Sequence, residues 1–184
     1  MELYSAEMQH SAETVKRFTK LQYDTFEWWR KLLLFSLSVI LILFGLSSGS
    51  SVAMVFCLFA GCLLLTNLSF RANSVAEGVA EAMRGKYPLL HYSFSETGFT
   101  DGEDRPEVPY GSLYRLIADE RYLYLFVSKA SGYMLSRDSV KGDGDIAGLM
   151  ALVSEKSNLS WKGPFSLLTF SLRDLLPQRS RHGS

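Results

Sequence analysis

Apolar residues are concentrated in one long stretch of the chain. No Asp, Glu, Lys, Arg or His occurs from Leu32 to Phe70, a run of 39 residues. A single helix of that length would measure about 58 Å, whereas the hydrocarbon core of a bilayer is about 30 Å thick. The centre of the run is rich in serine and glycine, which is typical of a helix break. The pattern predicts a two-helix transmembrane hairpin, with helix 32–46, turn 47–51 and helix 52–70.

Helical periodicity continues on both sides of the hairpin. Residues 1–31 are predicted to hold a short strand and then an amphipathic helix with Ser11 as its N-cap. That helix either lies on the bilayer surface or leads into the first span, and the second placement is favoured. Residues 71–86 are predicted to form a connecting helix, with Ser74 and Glu77 as its capping box. Its apolar positions form one thin stripe, at Val75, Val79 and Met83.

From residue 87 onward the period changes from helical to alternating. The segment "LLHYSFSETGFT" alternates bulky and polar residues around a hairpin signal, and "LYRLIADERYLYLFVS" reads as two strands joined by the turn "ADER". An amphipathic helix closes residues 87–157, with Ile146, Leu149, Met150 and Val153 at helical spacing. A region of about 70 residues has a small core, which pairing with the N-terminal strand or with another copy of the chain would enlarge. The predicted fold class is membrane α+β: a transmembrane hairpin followed by a small antiparallel β-sheet with a C-terminal capping helix.

The last segment, residues 158–184, is apolar at first and then basic. It is too apolar for a loose terminus. Two placements are open: a helix on the membrane surface, or packing onto the sheet.

Charged and aromatic residues at the ends of the hairpin predict how it sits in a membrane. Arg30 and Lys31 precede the first helix, Arg71 follows the second, and the turn carries no basic residue. Trp28 and Trp29 lie where an interfacial aromatic belt is expected. We predict that these five residues are membrane-interface anchors and that both termini are cytoplasmic. A re-entrant hairpin is the alternative, and it also leaves both termini on one side.

Overall charge and cysteine usage narrow the class of partner. The chain has 19 basic and 19 acidic side chains, so its net charge is +0, which disfavours a nucleic-acid partner. Both cysteines, Cys57 and Cys62, fall inside the apolar run, where they are expected to be apolar thiols rather than a disulfide or a metal site.

Candidate chemistry is sparse along the chain. No phosphate-binding loop, dinucleotide fingerprint, nucleophile elbow or zinc-protease motif occurs. His91 lies alone on a predicted strand, and the acidic loop from Asp101 to Glu107 lacks most positions of a calcium loop. We therefore predict no catalytic, cofactor-binding or metal-binding residue, no cofactor, and no enzymatic activity.

The order of these parts resembles the YcxB-like family of small bacterial membrane proteins. The resemblance covers most of residues 1–157 and is carried by "YGSLYRLIADE", "YLYLFVS" and "YMLSRDSV". Tyr110 and Leu113 stand where the family more often has Trp and Ile, and Arg137 stands where it often has a proline followed by a basic residue. The resemblance implies a C-terminal domain similar to a pleckstrin-homology (PH) domain. It implies no general activity.

Together these features lead to one functional hypothesis and one alternative. The first is a binding or scaffold protein of the bacterial inner membrane, multi-pass, that presents a PH-like module to the cytoplasm. Its partners would be the bilayer and a protein, bound at an exposed sheet edge or in the helix-capped groove, or a second copy of itself. Lipid head groups are a further candidate ligand for the basic residues of the sheet, Arg115, Arg121, Lys129, Arg137 and Lys141. The alternative is a small oligomeric transport or channel subunit.

Overall fold

The computed structural model describes residues 2–83, 85–102, 105–142 and 144–164. The helices are α1 Ala12–Phe26, α2 Trp28–Ser47, α3 Ser51–Thr66, α4 Phe70–Ala82 and α5 Asp145–Ser157. The strands are β1 Tyr4–Gln9, β2 Leu89–Phe94, β3 Gly98–Thr100, β4 Val108–Pro109, β5 Arg115–Ala118, β6 Tyr122–Phe126, β7 Gly132–Ser136, β8 Lys141–Gly142 and β9 Trp161–Lys162. Two long apolar helices, β-sheets and a final helix are thus present as expected.

The chain divides into two compact units. Residues 1–11 and 86–184 form one, the sheet unit, and residues 12–85 form the other, the helical unit. The helical unit therefore occupies the connection between β1 and β2. From sequence, residues 1–31 were one segment, whereas the structure assigns β1 to the sheet and α1 to the helices. A strand that precedes the apolar run thus completes a domain that follows it.

In the helical unit, α2 and α3 form an antiparallel hairpin and α1 packs against α4. The 20 residues of α2 extend about 30 Å and the 16 residues of α3 about 24 Å. The predicted helix bounds are wrong at two ends, because α2 begins at Trp28 rather than at residue 32 and α3 ends at Thr66 rather than at residue 70. The reason is that polar residues such as Arg30 do not interrupt a helix. Hydropathy locates the apolar part of a helix, not its first or last turn.

The start of α4 also differs from the prediction. The helix begins at Phe70, so Ser74 lies inside it and is not the N-cap. Its N-cap residue is Ser69, whose side chain makes no capping hydrogen bond. The predicted capping box at Ser74 and Glu77 is therefore wrong, because a capping motif within a continuing helix has no free backbone N–H group to bind.

The buried face of α4 consists of alanines rather than valines. Ala72, Ala76 and Ala80 are buried, whereas Val75 is 41% and Val79 is 40% exposed. The predicted apolar stripe is thus wrong. Ranking by hydropathy favours valine, but close approach of α1 and α4 favours the smallest side chain that does not loosen a helix.

The sheet unit contains two sheets instead of the single sheet expected. One has the strand order β4-β3-β2-β1-β8 and the other β7-β6-β5-β9. Of the two pairings that would enlarge the core, the one with the N-terminal strand is present: β1 is antiparallel to β2, from Tyr4 opposite Phe94 to Gln9 opposite Leu89. The pair β5–β9 is parallel, so the sheets are not purely antiparallel.

Part of the predicted tail belongs to this fold. Trp161 pairs with Leu116 in the β5–β9 ladder, and its indole Nε1 donates to the Met150 carbonyl of α5 at 2.8 Å. Residues 158–162 are therefore not outside the domain. Residues 165–184 lie outside the described residues, and so does the predicted placement of the rest of the tail.

Large side chains fill the core of the sheet unit. The rings of Phe94 and Phe99 stack at 5.4 Å, and Tyr133 meets Phe99 edge-on at 5.0 Å, a geometry that aromatic quadrupoles favour. The capping helix α5 contributes Leu149 and Val153, both almost completely buried. The predicted amphipathic face of α5 is confirmed at these two positions.

Candidate membrane-anchoring site

The outer surface of the helical unit is apolar. Two helical stretches, Trp28–Ser47 and Ser51–Ala82, are long and apolar enough to cross a membrane, and only 11% of the apolar window of each is buried. The second stretch includes the turn at residues 67–69, so its apolar part is α3. The core helix of a soluble protein would be mostly buried. Large side chains that point outward include Ile40, Leu43, Phe44, Val52, Val55, Phe56 and Phe59.

The contact between α2 and α3 is made by small residues. Gly45, Cys57 and Gly61 are buried there, and a Cβ atom on Gly61 would lie 2.7 Å from Cγ1 of Ile42. The buried Ser38 hydroxyl donates to the Gly61 carbonyl at 2.8 Å. Small residues and interhelical hydrogen bonds are how helices associate where lipid removes the hydrophobic driving force. Both the apolar surface of the hairpin and the small-residue packing between its helices are therefore typical of membrane helices.

Three of the predicted anchors lie together at the start of α2. The Trp29 side chain is 49% exposed, and the Arg30 guanidinium carbon lies 5.3 Å from the centre of its ring, within range of a cation–π interaction. Arg30 Nε also lies 2.8 Å from a carboxylate oxygen of Glu27. Trp28 is the first residue of α2 and is half-buried.

Lys31, the fourth predicted anchor, is held in an ion pair. Its Nζ lies 2.7 Å from Oδ1 of Asp24, and the two side chains are only 11% and 19% exposed. The pair joins α1 to α2 across the break near Glu27. The sequence predicted Lys31 only as a membrane-interface anchor and did not predict its ion pair with Asp24. A spacing of three or four residues signals an ion pair on a helix, but these two residues are seven apart.

The fifth predicted anchor, Arg71, is the second residue of α4 and is exposed. It forms no ion pair with another described residue. Because α2 and α3 are antiparallel, the start of α2 and the end of α3 lie at the same end of the hairpin. All five predicted anchors therefore belong to one end, and the serine-rich turn belongs to the other.

Ionisable groups in the sheet unit serve its structure. Asp101 is buried and pairs with Arg105, and His91 Nδ1 lies 3.6 Å from Glu7 Oε1 on exposed neighbouring strands. Burial, and secondarily the charge of Asp101, raises the pKa of Tyr92 and keeps its hydroxyl protonated. Within the described ranges, no group of three or more His, Cys, Asp or Glu is placed to hold a metal ion.

The basic residues proposed for head-group binding are spread over different elements of both sheets. Arg115 belongs to β5, Arg121 and Lys129 lie in turns, and Lys141 belongs to β8 of the other sheet. Arg137 donates from Nη1 to the Asp119 carbonyl at 2.7 Å and so fastens the turn before β6. Arg121 and Arg137 are neighbours, because the Arg137 backbone N–H donates to the Arg121 carbonyl at 2.9 Å, whereas Arg115 and Lys141 belong to different sheets.

Comparison with known proteins identifies no relative: no protein-family model matches the chain, and no curated protein or solved structure matches it significantly. Function is therefore inferred from the chain's own residues and fold.

Proposed function

We propose that this is a membrane-anchored binding or scaffold protein without enzymatic activity, which presents its sheet unit to the cytoplasm. The observation that carries the proposal is the helical unit itself. It combines an apolar outer surface with a small-residue interior, and it is inserted between two strands that pair with each other. In water, such a surface would be an aggregation hazard, whereas in a bilayer it is an anchor.

The pairing of β1 with β2 supports a particular topology. β1 precedes the hairpin and β2 follows it, yet the two strands share a continuous antiparallel register. Strands on opposite sides of a membrane cannot pair. The chain between them must cross the membrane an even number of times, which favours two full crossings by α2 and α3 or a re-entrant dip. A single crossing is incompatible with the fold.

Residue charges then favour one orientation. The end of the hairpin that carries Arg30, Lys31 and Arg71 would face the cytoplasm under the positive-inside rule, which counts basic residues even when acidic ones are nearby. The turn at residues 48–50 is free of charge and would lie outside. The resemblance to YcxB-like proteins is what favours the bacterial inner membrane in this proposal.

Two small sheets and a capping helix support a PH-like interpretation of the sheet unit. A binding role for it is favoured over a catalytic one because its buried ionisable groups are paired or held neutral within the core. We favour a protein partner over lipid head groups, since the Arg137 guanidinium already binds the protein backbone and Arg115 and Lys141 belong to different sheets. No observation favours the transport alternative: Ser38, Gly45 and Gly61 join α2 to α3 and do not line a path.

Fractionation and reporter fusions test the anchor. We expect the full chain to remain in the membrane pellet after alkaline carbonate extraction. A reporter active only in the periplasm should be silent when fused after Ser184 and active when inserted after Gly49, where the backbone is exposed in the turn. Activity of the fusion after Ser184 would refute the orientation, and release by carbonate would refute the anchor. Silence after Gly49 with a retained anchor would indicate the re-entrant form.

Partner capture tests the binding role. The full chain and a variant in which a short turn replaces residues 12–85 would each be purified from cells, and the bound proteins would be identified by mass spectrometry. A partner of the sheet unit should accompany both forms. Capture of no protein by either form would contradict the proposal. Capture by the full chain alone would indicate that the helical unit, rather than the sheet unit, binds the partner.

A further inference from the structure

We propose that two copies of the helical unit pair side by side, with a basic row on α1 of each copy facing an acidic row on α4 of the other. The basic row is Lys16 and Lys20, and the acidic row is Glu77 and Glu81. The inference rests on the proposed membrane anchoring, which gives both copies the same direction. The partner surface is thus a second copy of this chain.

The two rows are exposed and carry opposite charges that the chain itself does not neutralise. None of the four residues forms an ion pair with another described residue. The contrast with the neighbouring helix turns is sharp, because Asp24 pairs with Lys31 and Glu27 pairs with Arg30. The helical unit therefore pairs its charges at the start of α2 and leaves the two rows without an ion pair to another described residue.

Helix geometry explains why the rows do not meet within one chain. Successive residues of an α-helix are about 100° apart, which puts Lys20 nearly opposite the face of α1 that Val15 and Thr25 bury. On α4 the same spacing puts Glu77 and Glu81 to one side of the buried alanines. Both rows thus lie outside the contact between α1 and α4, where a second molecule has access to them.

The rows also lie at matching distances from the apolar hairpin. Lys20 is eight residues before Trp28, and Glu77 is seven residues after Phe70. At about 1.5 Å per residue, the offset is about 12 Å for Lys20 and about 11 Å for Glu77. The corresponding offsets are about 18 Å for Lys16 and about 17 Å for Glu81. Since the start of α2 and the end of α3 lie at the same end of the hairpin, each lysine has a glutamate at a matching offset along its helix.

Symmetry then brings unlike rows together. Two copies anchored in one membrane share a direction, so a two-fold axis between them lies along the membrane normal. Because α1 and α4 are antiparallel neighbours, the rotation sets α1 of each copy against α4 of the other, and the contact is self-complementary. Phe70, 65% exposed and on the same side of α4 as the acidic row, would add apolar contact at the membrane end.

The strength of this contact should depend strongly on conditions. Exposed ion pairs are individually weak and are screened by salt. Confinement to a membrane raises the effective concentration of the two copies, which favours association without any additional contact. We expect a reversible dimer that is sensitive to ionic strength rather than an obligate one.

Charge reversal with differently tagged copies tests the proposal. The variants are K16E/K20E and E77K/E81K, each expressed alone with two tags and then the two together, and the measurement is co-purification from membranes solubilised at low salt. Each variant alone should self-associate about tenfold less than the natural chain, because like charges replace unlike ones. When the two variants are expressed together, association should return to the natural level, since every row in a mixed dimer faces a row of opposite charge. R121E/K141E, which changes charge equally in the sheet unit, should associate normally.

The proposal would be overturned if the natural chain did not self-associate, if either variant self-associated at the natural level, or if the mixed pair did not regain association. If a chain carrying all four changes regained association while the mixed pair did not, the rows would act within one chain, which also contradicts the proposal. Carbonate extraction of every form separates these outcomes from loss of the anchor, which would contradict the proposed function itself.

Discussion

The two units of this protein bury residues of opposite size. In the helical unit the buried side chains are small or medium, at Val15, Thr25, Ser38, Gly45, Cys57, Gly61, Ala72, Ala76 and Ala80. In the sheet unit many large side chains are fully buried, at Tyr92, Phe94, Phe99, Tyr110, Leu116, Ile117, Leu123, Tyr124, Leu125, Phe126, Met134 and Leu135. Large apolar residues exist in both units, but in the helical unit many of them are exposed, for example Phe56 and Phe59.

Under the proposed membrane anchoring, this difference follows from the solvent around each unit. Water drives large apolar side chains inward, whereas lipid gives them no reason to leave the surface, so close backbone approach decides which residues lie inside. The small-residue contact does not stop at the apolar run, because the alanines of α4 extend it along α1. Helix packing of the membrane type is therefore continuous through the whole helical unit.

The strongest test of this comparison separates the two units. Replacing residues 12–85 by a short Gly/Ser turn should convert the protein from membrane-bound to soluble, with the sheet unit unfolding cooperatively. The physical reason is that β1 and β2 remain paired up to Gln9 and Leu89 and need only a hairpin turn. Fractionation and thermal circular dichroism are the measurements. A chain that also lacks residues 1–11 is the control and should aggregate, and an insoluble or non-cooperative excised chain would contradict the division into units.

The same substitution should have unequal effects in the two units. Phe126 is fully buried in β6 and Phe59 is 64% exposed on α3. Changing Phe126 to Ala should lower the free energy of unfolding by about 3–5 kcal/mol through lost burial and a cavity. Changing Phe59 to Ala should alter it by about 0.5 kcal/mol or less. Denaturant unfolding in detergent, followed by near-ultraviolet circular dichroism, measures both changes in free energy. Equal losses of stability would contradict the contrast between buried large side chains in the sheet unit and exposed ones in the helical unit.

Within the helical unit, an added methyl group should be harmful at the α2–α3 contact and harmless on the exposed side of α4. A Cβ on Gly61 would lie 2.7 Å from Ile42, whereas nothing lies within 4 Å of one on Gly78. Gly61→Ala should destabilise the α2–α3 contact by about 1–3 kcal/mol. Gly78→Ala, its control, should be neutral or stabilise α4 by up to about 1 kcal/mol. Thermal stability in detergent distinguishes them, and a harmless Gly61→Ala would show that the hairpin is not closely packed.

The smallest expected effect concerns pH and the exposed surface of the sheet unit. Glu107 accepts hydrogen bonds from the Ser95 hydroxyl at 2.6 Å and the Thr97 hydroxyl at 2.7 Å, which lower its pKa below the usual value, with Ser95 the larger cause. A depressed pKa in the folded state means that the stabilisation is present above the unfolded pKa of 4.5 and is lost as pH falls through the folded pKa. Glu107→Gln should therefore be less stable at neutral pH and approach the natural chain in acid. A stability difference that does not change with pH would contradict this assignment.

Several features of the fold follow from local pattern alone. The charge-free run and its serine-rich centre predicted two apolar helices, and alternation around "ETG" and "ADER" predicted the β2–β3 and β5–β6 hairpins. The turn at "ADER" is stabilised locally, because Asp119 Oδ1 accepts from the backbone N–H groups of Arg121 and Tyr122. Such features depend on residues that are close in sequence, so the sequence is sufficient to predict them.

The candidate site was predictable only in part. The positions of Trp28, Trp29, Arg30, Lys31 and Arg71 follow from hydropathy and charge. The ion pair between Asp24 and Lys31 does not, because it spans the break between two helices. The alanine face of α4 was also missed, since a hydropathy scale ranks residues by transfer to an apolar phase and not by how closely they let two backbones approach.

By itself, the sequence determined which segments are apolar, which form helices or strands, and where the local turns fall. Tertiary structure alone decided that β1 pairs with β2 across the whole helical unit, that the strands divide into two sheets, and that Trp161 returns the chain to β5. The physical reason is the range of the interactions. Periodicity and turn chemistry act over a few residues, whereas strand pairing and small-residue helix contacts depend on which distant segments the completed fold brings together.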